Sequence, residues 1–146
     1  MDIRAMRIDD YDELYELWLN TPGMGLNTRD DSREGIEKYL RRNPNTCFVA
    51  VDEGQLVGAI LSGHDGRRGL ISHTAVAQKK RGRGIGSSLV ERAMDAMRAE
   101  GIAKVALVAF SRNETGNAFW EHLGFTARED LTYRNKALTE LQRIDT

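Results

Sequence analysis

A glycine-rich segment, residues 81–86, constrains this chain more than any other stretch. It reads Arg-Gly-Arg-Gly-Ile-Gly, follows an apolar run at 70–77 that predicts a strand, and opens a periodic segment at 85–100 that predicts a helix. Glycine accepts positive φ and has no Cβ, so backbone N–H groups can converge on a ligand oxygen. The unpaired N–H groups at a helix start add to the same anion site. The segment therefore predicts a phosphate or pyrophosphate ligand.

The spacing of the glycines excludes two common phosphate loops. A Walker loop has Lys and then Ser or Thr after its last glycine, whereas Gly86 is followed by Ser87 and Ser88. A dinucleotide-binding loop has the pattern G-x-G-x-x-G, which the alternate glycines of this segment do not match. Taken alone, the segment also remains compatible with an ordinary glycine-rich turn that binds nothing.

Length and composition limit the class of protein. We expect one domain over residues 1–146, with a core supplied by the 40% of hydrophobic residues. The formal net charge of −1 favours neither a nucleic acid nor a membrane as partner. Cys47 is the single cysteine, which fits a cytoplasmic location, and its apolar surroundings predict a core position. No apolar run approaches the ~20 residues of a membrane helix, and we expect no metal site.

Hydrophobic periodicity and turn residues predict the order β-α-α-β-β-β-α-β-α-β-β. Antiparallel hairpins followed by a β-α-β unit give a mixed, mostly antiparallel central sheet flanked by about four helices, an α/β (α+β) fold. Asp31 and Ser32 are both candidate caps for the second helix. The predicted segments are 1–8, 10–20, 32–43, 46–51, 55–62, 70–77, 85–100, 104–110, 114–123 and a final hairpin at 125–137.

Two motifs carry a resemblance to a known family. Arg81-x-x-Gly84-x-Gly86 is similar to the Arg/Gln-x-x-Gly-x-Gly/Ala signature of the GNAT superfamily of acetyl-CoA-dependent N-acetyltransferases. The stretch from Asn113 to Phe125 resembles the second motif of that superfamily, Asn-x-x-Ala-x-x-Phe/Leu-Tyr-x-x-x-Gly-Phe. The predicted element order is also the GNAT order, over nearly the whole chain. The resemblance implies a GNAT-like fold and the use of acetyl-CoA.

The second motif departs from the family at two positions. Gly116 stands at the usual Ala, and Trp120 stands where relatives commonly have Tyr. In relatives the Tyr hydroxyl can protonate the leaving thiolate, but an indole N–H is no useful acid. We interpret Trp120 either as a wall against the pantetheine or acetyl group or as a core residue. We expect no dedicated acid, with Tyr133 as the alternative donor.

The resemblance implies a binding site for acetyl-CoA along the fourth strand and the glycine-rich segment. The strand backbone would pair with the pantetheine amides and bind the thioester carbonyl, and the glycine-rich segment would bind the pyrophosphate. The implied residues are Thr74, Ala75, Val76, Arg81, Gly82, Arg83, Gly84, Ile85, Gly86, Ser87, Asn113 and Trp120.

The catalytic base and the acceptor site are less constrained. Relatives often use a Glu on the fourth or fifth strand, and this chain has none there. His73 is the titratable side chain inside the fourth strand and is a candidate base, because histidine changes protonation near neutral pH. The alternative is a structural histidine with satisfied hydrogen bonds. The resemblance implies that Met24 and Leu26 line the acceptor site, and Asp65 is a further candidate; ordinary solvated loops are the alternative for all three.

Two classes of function follow. The first is an N-acetyltransferase that moves an acetyl group to a primary amine of a small molecule or peptide by direct transfer in a ternary complex. The second is a non-catalytic domain of the same fold that binds or senses acyl-CoA, which the missing Tyr keeps open. We expect no nucleic-acid or membrane partner, and a homodimer is compatible with the resemblance.

Overall fold

The computed structural model describes residues 1–144, and a five-stranded sheet forms its centre. The strands lie in chain order, with antiparallel pairing from β1 to β4 and parallel pairing between β4 and β5. The mixed, mostly antiparallel sheet predicted from the sequence is thereby confirmed. The strands are β1 (Asp2–Ala5), β2 (Phe48–Asp52), β3 (Gln55–His64), β4 (Gly69–Val76) and β5 (Val105–Leu107).

Four helices cover the two faces of the sheet, as predicted. Alternate strand residues point to opposite faces, so Val49 packs with α1 and α2 whereas its neighbour Phe48 packs with α3. Cys47 is a core residue, and burial raises the pKa of its thiol to about 12, which excludes it as a nucleophile at neutral pH. The helices are α1 (Tyr11–Leu19), α2 (Arg33–Arg42), α3 (Ile85–Ala99) and α4 (Glu114–His122).

The start of α2 distinguishes between the two candidate caps. The Ser32 hydroxyl accepts the N–H of Gly35 at 3.0 Å and caps the helix. A Cβ at Gly35 would lie 2.4 Å from the carbonyl oxygen of Asp30, so glycine allows the preceding loop to fold closely over the helix. Because Ser32 takes the cap position, the carboxylate of Asp31 is left for another contact.

A β-bulge in β4 changes which face its side chains occupy. Two residues, Ser72 and His73, lie opposite the single residue Leu61 of β3. The extra residue interrupts the alternation of side chains along the strand. Ile71 therefore packs on the α3 side, while Ala75, four residues further on, packs on the α1 side. Strict alternation would have placed both on one face.

The predicted final hairpin at 125–137 is wrong, because this segment contains no strand. Phe125 packs against Trp120, but the larger apolar side chains after it remain in solvent, with Leu131 62% and Tyr133 69% exposed. A two-stranded hairpin without a packed apolar face is marginally stable at best, so the turn signals in the sequence were not sufficient.

The end of the described chain returns to the α1–α2 loop instead. The N–H of Thr28 donates to the carbonyl of Gln142 at 2.9 Å, and the N–H of Ile144 donates to the carbonyl of Leu26 at 3.0 Å. The tail thus holds the loop by backbone hydrogen bonds. Within residues 1–144, none of the helices combines the length and hydrophobicity needed to cross a bilayer.

Candidate functional site

The strands β4 and β5 pair over only three residues and leave an open strand edge. Gly69 to Ile71 pair with β5, whereas the remainder of β4, residues 72–76, has no strand partner on that side within the described chain. Unpaired backbone N–H and C=O groups along a strand edge can pair with an extended ligand. The edge includes the three strand residues predicted from the sequence to bind acetyl-CoA.

Thr74 lies on this open edge and carries an unpaired side-chain hydroxyl. Its hydroxyl is buried and has no hydrogen-bond partner among residues 1–144. Buried polar atoms in folded proteins are almost always paired, so this hydroxyl is suited to a hydrogen bond with a ligand or with water. Thr74 pairs in register with Ile60 on the α3 side, while Ala75 is a core residue of the opposite face.

The glycine-rich segment leads from the end of β4 into α3. Gly82 and Gly84 have φ of 77° and 79°, in the left-handed region that favours glycine. A Cβ added to either would meet no atom within 4 Å. The segment therefore presents its backbone to open space, as an anion site requires.

The first turn of α3 completes this anion site. The first helical hydrogen bond joins the N–H of Ser88 to the carbonyl of Gly84 at 3.0 Å, and no side chain caps the helix. The preceding N–H groups, those of Ile85, Gly86 and Ser87, are therefore available to a ligand. Together with the positive end of the helix dipole, they form a site suited to a phosphate group.

Not every predicted residue of this segment faces the open space. The Nε of Arg81 donates to the carbonyl of Val76 at 3.1 Å and ties the segment to the end of β4. A Cβ at Gly86 would lie 3.3 Å from the Phe119 ring, so this glycine also allows α3 to contact α4. Arg83 is exposed and adds positive charge.

The second motif, from Asn113 to Phe125, has a structural role in this chain. The Asn113 side chain accepts the N–H of Gly116 at 2.9 Å and caps α4. A Cβ at Gly116 would lie 2.4 Å from the Asn113 amide nitrogen, so the family's Ala would displace this cap. Trp120 is half-buried and lies edge-on to Phe119 and Phe125, with ring centroids 5.0 and 5.3 Å apart. Asn113 and Trp120, both predicted to contact acetyl-CoA, therefore have partners within the protein.

A groove of about 1080 Å³ opens on the α1 side of the sheet. The α1–α2 loop and α2 form its walls, and Ser72 and His73 of the bulge lie at its base. Gly23 and Gly25 of the same loop approach the Phe110 ring, beyond β5, at 3.8 Å from an added Cβ. The loop therefore borders both the groove and the end of β5.

The structure does not bring the three predicted acceptor residues together. Leu26 is 1% exposed and belongs to the core, and Met24 packs against that core. Asp65 lies in the turn between β3 and β4, at the end of β4 opposite the glycine-rich segment. Its carboxylate accepts the N–H groups of Arg67 and Arg68, each at 2.8 Å. None of the three side chains lines the groove.

His73 has a partner that the sequence did not suggest. Its Nε2 lies 2.6 Å from Oδ1 of Asp31, whose side chain is 5% exposed. The Trp18 ring contacts the imidazole edge-on at 5.0 Å between centroids. The one available signal was the succession of two possible helix caps, Asp31 and Ser32, of which only one can be used.

Comparison with known proteins agrees with this geometry. The family model described as acetyltransferase (GNAT) family matches residues 11–125. An acetyltransferase of Sodalis glossinidius is 32% identical over 142 residues, covering 97% of this chain and 99% of the relative. An acetyltransferase of Photorhabdus laumondii is 33% identical over 132 residues, covering 88% of each.

Solved structures share the fold. Ard1 from Thermoplasma volcanium superposes with a TM-score of 0.77 at 21% identity, covering 86% of this chain and 82% of that one. The PaiA N-acetyltransferase from Thermoplasma acidophilum, solved in complex with coenzyme A, gives 0.74 at 18% identity, covering 87% and 90%. With a family model that matches most of its length and relatives above 30% identity, the chain belongs to the GNAT family of acetyltransferases.

Proposed function

We propose that this N-acetyltransferase moves an acetyl group from acetyl-CoA to a primary amine of a small molecule or peptide, by direct transfer in a ternary complex. One observation carries the proposal. The open edge of β4 at residues 72–76 leads directly into the uncapped N-terminus of α3 through the glycine-rich segment. This is a continuous run of backbone donors, suited to a ligand with amides at one end and phosphates at the other.

The residues of this path fit acetyl-CoA. The first N–H groups of α3 and the charge of Arg83 suit the pyrophosphate, and the edge from Thr74 to Val76 suits the pantetheine amides. The unpaired Thr74 hydroxyl gives the ligand one further polar partner. When bound, acetyl-CoA supplies an acyl group activated as a thioester. A relative in fold has been solved with coenzyme A, which supports the assignment.

The groove on the α1 side receives the acceptor amine, with His73 as the base. Overall, one C–N bond forms and one C–S bond breaks. The acceptor ammonium loses two protons, one through His73 to solvent and one that ends on the CoA thiol. Holding both partners in place can contribute ~7–11 kcal/mol, so that a single base and a backbone donor are adequate.

No dedicated acid is required in this scheme. A thiol with an ordinary pKa of about 8.5 gives a tolerable leaving group near neutrality. Trp120 is packed among aromatic rings, and Tyr133 is largely exposed and does not line the groove. The acetyltransferase names of the relatives favour this enzyme over a sensor of acyl-CoA.

Thiol release from acetyl-CoA, measured with panels of small amines and of peptides, tests the activity. Gly84→Val tests the anion site, because a β-branched residue at positive φ displaces the backbone and fills the open space. We expect the Kd for acetyl-CoA, measured by calorimetry, to rise at least about tenfold, the equivalent of 1.4 kcal/mol.

Gly66→Val is the matched control, since Gly66 also has positive φ and open space but lies in the turn between β3 and β4. It should leave the Kd unchanged. Equal effects of the two variants, or competition by ATP or NAD, would contradict the assignment.

A further inference from the structure

We propose that Asp31 is a positioning residue that fixes His73 with its proton on Nε2, so that Nδ1 is the atom that accepts a proton from the acceptor ammonium. The inference rests on the proposed function and adds to it a second residue and a defined atom. It is carried by the hydrogen-bond geometry of the two histidines that lie in the β3–β4 hairpin.

The contact with Asp31 determines which ring nitrogen carries the proton. A carboxylate accepts hydrogen bonds and donates none, so at 2.6 Å the Nε2 of His73 must be the donor. A neutral imidazole has a single N–H, and Nδ1 is then an acceptor. Within residues 1–144, Nδ1 makes no hydrogen bond, and His73 lies at the base of the groove. Its free lone pair is therefore left for a ligand.

His64 shows the contrasting arrangement. Its Nε2 lies 2.8 Å from Oε1 of Glu100, and its Nδ1 accepts the N–H of Gly66 at 2.9 Å. Both nitrogens are occupied, so this ring has no lone pair for a substrate. The two histidines thus separate into a satisfied structural residue and a residue with one available acceptor.

Asp31 is itself held in place by two hydrogen bonds besides its contact with His73. Its Oδ2 accepts the N–H of Asn27 at 2.9 Å, and its main-chain carbonyl accepts the Tyr11 hydroxyl at 2.6 Å. Burial of the carboxylate requires such partners, since an unpaired buried charge is costly. With Trp18 against the ring of His73, the imidazole has little freedom to turn over.

The proton transfer is balanced within these groups. One proton moves from the acceptor nitrogen to Nδ1 of His73, while the Nε2 proton stays in the hydrogen bond to Asp31. The positive charge that forms on the ring lies beside the carboxylate, which stabilises it. The side chain of His73 remains 15% exposed, so the proton can pass to solvent from the groove.

Proton-coupled NMR of the imidazole nitrogens in the free, full-length protein tests the pairing without any substrate. We expect His73 in the Nε2–H form in the wild type, and a mixture of forms in Asp31→Asn. Glu100→Gln is the matched control and should change the spectrum of His64 alone. A wild-type His73 in the Nδ1–H form would overturn the proposal. Because this measurement is made on the wild-type protein, it does not depend on whether the Asp31→Asn variant folds.

Kinetics with the most active amine of the panel supply the second readout. Asp31→Asn should lower kcat by about a hundredfold, within the range of acid–base catalysis, while calorimetry shows an unchanged Kd for acetyl-CoA. Glu100→Gln should leave kcat unchanged. Retention of kcat in Asp31→Asn, together with its loss in His73→Gln, would also overturn the proposal. If no amine is acetylated, the proposed function fails, and the NMR result still decides the role of Asp31.

Discussion

The two histidine–carboxylate pairs of this molecule occupy regions of different character. His64, at the end of β3, meets Glu100 just after α3, and His73, in the bulge of β4, meets Asp31 of the α1–α2 loop. The heavy-atom distances are similar, 2.8 and 2.6 Å, but the Glu100 side chain is 32% exposed and that of Asp31 only 5%. The histidine side chains are almost equally exposed, at 17% and 15%, so the two pairs differ in the burial of the carboxylate and in the groove beside His73.

This contrast shows that a histidine bound to a carboxylate is not in itself a catalytic feature. At the surface, the second ring nitrogen of His64 accepts the N–H of Gly66 and stabilises the hairpin turn. In the groove, the bulge turns His73 towards the α1 side and leaves its second nitrogen without a partner in the described chain. Whether the second ring nitrogen has a partner therefore separates the structural role of His64 from the catalytic role proposed for His73.

Replacing each histidine by glutamine is expected to give the largest difference between the two regions. Loss of a general base typically costs ~10²–10⁴-fold, so His73→Gln should lower kcat within that range at unchanged affinity for acetyl-CoA. His64→Gln should keep the wild-type kcat, because that ring contacts only the turn and Glu100. Steady-state kinetics on both variants, with calorimetry for the cofactor, measure the difference. Equal losses of kcat in the two variants would contradict a catalytic role that His73 has and His64 lacks.

Removal of residues 140–146 is expected to have an intermediate effect, confined to the groove. The tail holds the α1–α2 loop through the backbone contacts of Thr28 and Leu26, whereas the hairpin turn is held by its own side chains. Loss of one or two hydrogen bonds that order the loop should raise the acceptor KM on the order of tenfold. The Kd for acetyl-CoA should not change.

Leu138→Ala is the control for the truncation, because this side chain lies just before the removed segment and is almost fully exposed. It should behave as the wild type in both measurements. If the truncation raised the Kd for acetyl-CoA as much as the acceptor KM, the tail would support the whole fold and not this loop alone.

The smallest effect is expected at Asp65, in the hairpin turn. The N–H groups of Arg68 and Arg67 donate to its carboxylate and lower its pKa below the ordinary value. A lowered pKa in the folded state stabilises the protein above the unfolded value, about 3.9, and this contribution is lost as the pH falls through the folded value. Asp65→Ala should therefore lower Tm slightly at neutral pH, and the difference should vanish in acid.

Calorimetric melting of the wild type and Asp65→Ala between neutral pH and about pH 2, well below the ordinary pKa of an aspartate, measures this effect. A difference in Tm that persists in acid would exclude the ionised carboxylate as its cause. A change in the acceptor KM would instead return Asp65 to the acceptor site, where the sequence had suggested it.

Much of the fold could be predicted because its signals are local. The periodicity of α3, the positive φ of its preceding glycines and the capping side chains of α2 and α4 each depend on residues a few positions apart. The final hairpin at 125–137 failed for the opposite reason. Its strand signals were local, but a strand pair also needs a packed face, and this segment found none.

The sequence by itself predicted the proposed anion site, since the unpaired N–H groups of a glycine-rich turn and of the helix start that follows it depend on local sequence. It determined His73 as a candidate base, but left its role undecided between catalysis and structure. Only the tertiary structure pairs this histidine with Asp31, which lies 42 residues away in the chain, and the bulge that aims His73 depends on pairing with β3. Such contacts depend on how the elements pack, which short-range sequence patterns do not encode.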